Sequence, residues 1–467
     1  VKPRPAFLAA LVLLVALLVP AGAGATEKGA AKRLDNLRDQ PQRLRQFLLG
    51  MPKGTDLHTH LSGAVYAEAM IRWGAEDGKC VDTVTFVSNF PPCTGDQVPL
   101  SAALSNTQLW DQILAAWSMR NFRPDAFSGH DHFFATFDLF GSAFSGRQGD
   151  GLAQVVQRAA SQNEQYVEPL ITPQFGASLA IADQVGYDPD FSAMRQAMLE
   201  AGITDAIPAA GVTATSALNR KSDLLGCDTA DPEPGCGVLV HFDVQVLRNQ
   251  TPAVVFAQLL FGFELMKADP NWAGLNMVQP EDAAYSTGDY ALHMKMVRYL
   301  RSVYPGEKVT LHAGELVPGL VPPDDLRFHI RQAVNVAGAD RIGHGADLRW
   351  ERNPDQILRS MKNKGTCLEA NLTSNEQILG LYGKRHPIRD YVNAGVKVTL
   401  STDDEGVSRS DLTAQYVKAV LQHHFGYRRL KQFARNGLSC AFLTPAERRD
   451  ALTDQAARFR RFEARFP

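Results

Sequence analysis

KVTLHAG (308–314), RIGHGADL (341–348), TCLEANL (366–372) and KVTLSTD (397–403) are four short β-like runs, each closing on polar or glycine residues. Longer stretches with helical spacing separate them, the rhythm of a parallel α/β fold. Upstream the same alternation supplies TDLHTHL (55–61), QYVEPLI (165–171), VLVHFDVQVL (238–247) and WAGLNMV (272–278). Between the runs, apolar residues recur three and four positions apart, as over 253–266 and 290–303. Eight strand–helix units in one unbroken rhythm favour a closed (β/α)8, TIM-type barrel, with an open doubly wound sheet as the alternative. Two excursions break the rhythm, after the first and second strands, at about 75–145 and 185–237. Both contain helical patterns and read as helical insertions on one barrel. No internal repeat is visible.

The chain of 467 residues is 45% hydrophobic and 21% charged with a formal net charge of −2. Those values suit a globular enzyme and give no basic excess for nucleic acid. Residues 1–25 differ in kind. Lys2 and Arg4 precede an apolar run from Phe7 to Val19, then Pro20 and small residues ending at Ala25. This is the pattern of a secretory signal peptide cleaved near Ala25, too short for a comfortable membrane span. It predicts a secreted or periplasmic protein with no stable span after cleavage. A helical segment over 26–50 then leads into one barrel domain over 51–467. Six cysteines suit an exported protein. Cys80 with Cys93, and Cys227 with Cys236, bracket Pro/Gly-rich segments and are expected as two local disulfides. Cys367 reads as a buried thiol, and Cys440 has no evident partner.

A (β/α)8 barrel builds its site from the C-terminal ends of its strands. His58 and His60, one residue apart in a strand, point to one face. His312 ends the fifth predicted strand, His344 lies within the sixth, and Asp403 with Asp404 ends the eighth. An isolated HxH pair is weak evidence, and a DD pair is often a turn. Their placement at one end of four strands makes His58, His60, His312 and Asp403 a plausible zinc shell with room for a water. Left empty, the same residues would be costly buried polar groups. Glu315, three residues past His312, is placed for general acid/base work. His344 and Asp404 could orient or deprotonate a metal-bound water, whose pKa zinc lowers to about 7. The residues thus point to metal-assisted hydrolysis and leave the substrate open. His130 and His132 copy the HxH spacing but fall on a predicted helix, where they do not share a face, so they are not read as ligands.

MPKGTDLHTHLSGAV, TLHAGE, RIGHG and STDDEGV, in that order, resemble the adenosine/AMP deaminase branch of the amidohydrolase superfamily. The opening MPKG with LHxH is similar to exported, growth-factor-related adenosine deaminases. The resemblance runs from about Met51 to about Ala419 and includes YVEP and WAGLNMVQPED. It implies one Zn²⁺ per chain on His58, His60, His312 and Asp403. It further implies that Glu315 protonates purine N1, that His344 positions the attacking hydroxide, and that Asp404 bonds N7. The backbone at Gly274 would approach the ring near N3. The reaction implied is zinc-dependent deamination of adenosine, and of 2′-deoxyadenosine, to inosine and ammonia by hydroxide attack at C6. Phe133 and Phe137 lie in a segment, HDHFFATFDLFG (130–141), similar to the family's apolar lid helix, although a plain core stripe would show the same spacing.

The family often has Asp where this chain has Ser62, which would contact the ribose 5′-hydroxyl. Asn276 stands where Asp is common, and QPED replaces a Gly-containing continuation. Alternatives are a deaminase of another aminopurine, a different amidohydrolase, or a non-catalytic exported binding module. The partner expected is a small purine nucleoside. An AMP-type substrate is disfavoured by the lack of an Arg/Lys cluster beside the motifs. A homodimer is compatible with the two excursions.

Overall fold

The computed structural model describes residues 23–123 and 128–466. The expected leader lies outside them, save residues 23–25, which open the helix Ala23–Asp35. A second helix, Pro41–Gly50, packs Leu44, Phe47 and Leu48 inward and delivers the chain to the first strand.

Eight parallel strands close into a barrel. They are β1 (Gly54–His60), β2 (Glu164–Ile171), β3 (Phe242–Leu247) and β4 (Trp272–Val278), then β5 (Thr310–Ala313), β6 (Arg341–His344), β7 (Cys367–Ala370) and β8 (Val398–Leu400). Pairing runs β1-β2-β3-β4 and β5-β6-β7-β8. Single parallel bridges, Thr59 to Asp403 and Leu275 to Val309, join the two halves and close the ring. The eight runs read from the sequence are these eight strands. Every residue of β1 and β2 is buried, which is why they read as near-continuous strands flanked by helices rather than as a half-wet sheet.

The helix Pro252–Ala268 shows how the outer ring is held. Pro252 occupies its first turn, where a missing N–H costs nothing. Thirteen of its residues are buried, and it sits between β3 and β4 on one side and neighbouring helices on the other. Its sequence is apolar on nearly every face because nearly every face is covered.

Between β1 and β2 the chain builds a small antiparallel sheet (Cys80–Asp82, Ser88–Asn89, Gln97–Pro99) and the helices Ala67–Glu76, Thr107–Ala116, Gly129–Phe144 and Gln148–Ser161. Between β2 and β3 it adds the helices Phe175–Val185, Phe191–Glu200 and Ile207–Leu225. Cys80–Cys93 and Cys227–Cys236 are disulfides, as the local brackets suggested. Cys367 and Cys440 correct the sequence reading, because they form a third disulfide across 73 residues. Cys367 starts β7 at the base of the barrel. The helix Tyr427–Cys440 packs back onto β1 and β8 and ends beside it. Separation in sequence hid a pairing that barrel closure creates. Replacing both residues with Ala should lower stability by about 2–5 kcal/mol, since the bond closes a long loop in the unfolded chain. The shift of the urea midpoint against wild type measures it.

Beneath the strand ends lies a buried ionic layer. Arg341 of β6 reaches Glu168 of β2 at 2.5 Å, Asp243 of β3 at 3.1 Å, and Glu369 of β7. Its guanidinium also stacks 3.5 Å above the Phe442 ring. Removing one member of such a cluster strands the others in a dry environment. Among the described residues, no helix is long and apolar enough to cross a membrane.

Candidate metal centre and active site

The strand alternation that buries the barrel wall also brings His58 and His60 of β1, His312 of β5 and Asp403 after β8 to one point at its C-terminal end. Nε2 of His58 and Nε2 of His60 lie 3.1 and 3.3 Å from Nε2 of His312. Both are also 3.3 Å from Oδ1 of Asp403. Four ligands at the usual ~2.0–2.1 Å from one tetrahedral ion lie roughly 3.3 Å apart, so the donor set fits Zn²⁺.

The hydrogen bonds behind the rings make the same point. Nδ1 of His58 is 2.8 Å from Glu369 Oε2, Nδ1 of His60 is 2.8 Å from Gln245 Oε1, and Nδ1 of His312 is 2.8 Å from Asn276 Oδ1. All three partners are acceptors, so each Nδ1 carries the proton and each Nε2 presents a lone pair inward. Three lone pairs and a carboxylate converge without a donor between them, an arrangement a cation resolves. Of these polar partners, Asn276 was noted from sequence only as a departure from the family pattern, and Gln245 and Glu369 were not singled out. Their signal is a polar residue at an inward position of an otherwise apolar strand. Gln245→Met should weaken metal binding about 10–100-fold with the fold intact, read by competition with a chromophoric chelator.

Strained backbone places two of the clustered residues. His344 and Asp403 have φ of 67° and 65°, a left-handed conformation that costs a non-glycine residue ~1–3 kcal/mol. The turn aims both side chains into the site at the strand ends. Two glycines make room for the cluster. A Cβ at Gly343 would lie 2.5 Å from the His58 ring, and one at Gly63 would overlap the Asp404 carboxylate at 1.7 Å.

Glu315 follows β5 by two residues. Its backbone N–H donates to Glu281 Oε2 at 2.7 Å, and the N–H of Gly314 donates to Glu281 Oε1 at 2.9 Å. Glu281 is itself buried against His329, with Arg248 3.9 Å away. Burial works to raise the Glu281 carboxyl, but His329 and Arg248 outweigh it and hold it at about 2. It is therefore a fixed anion clamping the Glu315 loop. Glu315 behaves oppositely. Burial first, then Asp403 and Glu281, push its carboxyl well above the ordinary range, so it favours the protonated form. Asp404 is also raised, chiefly by burial, and its Oδ1 is buried without a hydrogen-bond partner. His344 is held down at about 3, chiefly by burial.

Glu315 and Asp404 open onto a cavity of about 680 Å³, whereas His344 is fully buried behind it. Phe133, Phe134 and Phe137 of the helix Gly129–Phe144 form its apolar wall, opposite His60, His312, Glu315, Asp403 and Asp404. Phe133 and Phe137 thus share the cavity with His60, His312 and Asp403, and Phe133 is also packed into the core. His130 reaches the rim, where it bonds Asp282 at 3.0 Å, away from the three ligand histidines.

Gly274 does not line the cavity, which corrects the role expected for it. It sits near the start of β4 paired with Asp243, and a Cβ there would meet the Phe442 ring at 2.5 Å. Its smallness serves packing at the barrel base. The cavity residue on that strand's exit is Gln279, with φ of 82°. Ser62, half-buried in the short helix Leu61–Ala64, is likewise not among the lining residues. The lining includes Asp131, Asp138, Glu315, Asp403 and Asp404, and no lysine or arginine among the described residues.

Residues 269–458 match the adenosine deaminase family model. The adenosine deaminase of Clostridium acetobutylicum is 33% identical over 140 residues, 30% of this chain and 39% of the relative. The chain thus spans about two fifths of the length of the curated relatives it matches. An N6-mAMP deaminase from Arabidopsis superposes with a TM-score of 0.57 at 18% identity, covering 88% of this chain and 99% of that one. A zinc-bound amidohydrolase from Burkholderia ambifaria gives 0.56 at 18%, covering 91% and 94%. The solved structures share the barrel fold.

Proposed function

We propose that this chain, whose residues 269–458 match the adenosine deaminase family, is a zinc-dependent enzyme that hydrolyses adenosine, and 2′-deoxyadenosine, to inosine and ammonia. The observation that carries the reading is the joint placement of a three-histidine, one-aspartate cluster and a buried, proton-retaining Glu315 on one cavity wall. Zinc held by His58, His60, His312 and Asp403, one per chain, would supply a water that ionises near neutral pH.

The chain's own residues do the rest. Glu315, whose surroundings favour the protonated form, donates its proton to N1 as C6 is attacked, which draws electron density away from C6. Asp404, also pushed towards its neutral form, donates a hydrogen bond to N7. His344 faces the attacking oxygen and steadies its charge. Phe133 and Phe137 cover the purine and keep bulk water from the charged centre.

The cavity also bears on the substrate class. Among the described residues, five carboxyl side chains and no lysine or arginine line it, a poor setting for a phosphate dianion, which needs cationic or N–H donors. A nucleoside is favoured over a nucleotide. The three disulfides, which pair all six cysteines, support an exported protein. Ammonia release with adenosine, 2′-deoxyadenosine, adenine, AMP and N6-methyl-AMP tests the reading. The two nucleosides should lead in kcat/KM. A lead for AMP or N6-methyl-AMP would overturn the nucleoside assignment.

A further inference from the structure

Behind His344, on the side away from the metal ligands, runs a chain of buried polar groups with no part in the scheme above. The Ile388 backbone N–H donates to Nδ1 of His386 at 3.1 Å. Nε2 of His386 lies 3.0 Å from Oδ1 of Asn375, and Nδ2 of Asn375 lies 2.9 Å from Nδ1 of His344. His344 ends β6, Asn375 sits in the helix Leu372–Leu379 after β7, and His386 precedes the helix Ile388–Ala394. All three side chains are buried.

One proton arrangement satisfies every link. A backbone N–H can only donate, so Nδ1 of His386 accepts and its proton sits on Nε2. That proton goes to the Asn375 carbonyl, which turns the amide NH₂ towards His344. Nδ1 of His344 must then accept, and its proton sits on Nε2. Nε2 is the nitrogen that faces the site, 3.9 Å from Asp403 Oδ2 and without a hydrogen-bond partner. The competing arrangement has a visible driver, because a Glu315 oxygen lies 3.5 Å from Nδ1 of His344 and would draw the proton there. The amide at the shorter distance opposes it. Burial, with His423 and Arg349 nearby, holds His386 at about 3, so it stays neutral and keeps one donor and one acceptor.

We propose that Asn375 and His386 are positioning residues that lock His344 as the Nε2–H tautomer, making it a fixed hydrogen-bond donor in the site rather than a base. The catalytic consequence rests on the reading of His344 given above. The lock itself is a property of the fold and is testable without substrate.

Selective ¹⁵N-histidine labelling of the full chain, loaded with zinc, reports which ring nitrogen of each histidine carries the proton, with His344→Gln and His386→Gln assigning the signals. The expected result is a bare Nδ1 and a protonated Nε2 on both residues. A proton on Nδ1 of His344, alone or together with one on Nε2, overturns the lock whatever the enzyme turns over. Asn375→Asp presents an acceptor to both neighbours and should invert the His344 tautomer. Misplacing a catalytic histidine tautomer costs up to about 10⁴ in rate, so kcat should fall about 10²–10⁴-fold with KM and zinc content nearly unchanged. His386→Gln retains one donor and one acceptor and should keep both the tautomer and most of kcat. An Asn375→Asp protein with inverted tautomer and wild-type kcat would overturn the donor role. Absence of adenosine turnover in wild type, with the tautomers as expected, would sink only the substrate assignment.

Discussion

Glu315→Gln should lower kcat for adenosine about 10²–10⁴-fold while zinc content stays at the wild-type level. The amide keeps the shape and can donate a hydrogen bond, but it has no proton to transfer. Glu315 is not among the four clustered ligand residues, so its replacement leaves the ion's shell intact. The pH profile carries a sign. Because burial, Asp403 and Glu281 raise the Glu315 carboxyl, the acid form persists to higher pH than for an ordinary carboxyl and is lost as pH rises through that elevated value. The wild-type rate should therefore fall on the alkaline side, and the Gln variant should lose that limb. Steady-state rates from pH 5 to 10 check both. A rate that rises across the same limb would remove Glu315 from the acid role.

His312→Ala should abolish zinc retention through dialysis and reduce turnover by more than about 10³-fold, since an ion of this kind contributes several kcal/mol to the transition state. His312 is the hub of the cluster, with its Nε2 within 3.3 Å of both other histidines. The fold should survive, because Asn276 still accepts from the backbone N–H of residue 312. Metal analysis beside a thermal melt separates loss of the ion from loss of structure. A variant that keeps one zinc per chain and full activity would show that His312 is not a ligand.

Much of this was legible before the fold was. The barrel followed from eight apolar runs whose period is set by burial on both faces, and its metal cluster from histidines that fall at the ends of those runs. The place of Glu315 in the same cavity followed from its distance to one of them. What stayed hidden depends on contacts between distant strands. The Cys367–Cys440 bond joins a strand to a helix 73 residues later. The roles of Glu369, Gln245 and Asn276 behind the ligand rings declare themselves only when the barrel closes, although Asn276 was already visible as a departure from the family pattern. Gly274 was misplaced because a small residue near a site motif resembles a substrate approach, whereas here the space it leaves is filled by the Phe442 ring. QPED (279–282) was legible as the replacement of a Gly-containing continuation, but the residue type of Gln279 gave no hint that it keeps a backbone conformation that usually favours glycine.

The most direct measurement follows adenosine conversion by ultraviolet absorbance as zinc is titrated into chelator-stripped protein, with bound metal quantified in each sample. Turnover to inosine should be absent in the stripped protein, rise linearly with added zinc, and break at one ion per chain. Protein that binds one zinc per chain, keeps its fold and leaves adenosine unchanged would contradict the account.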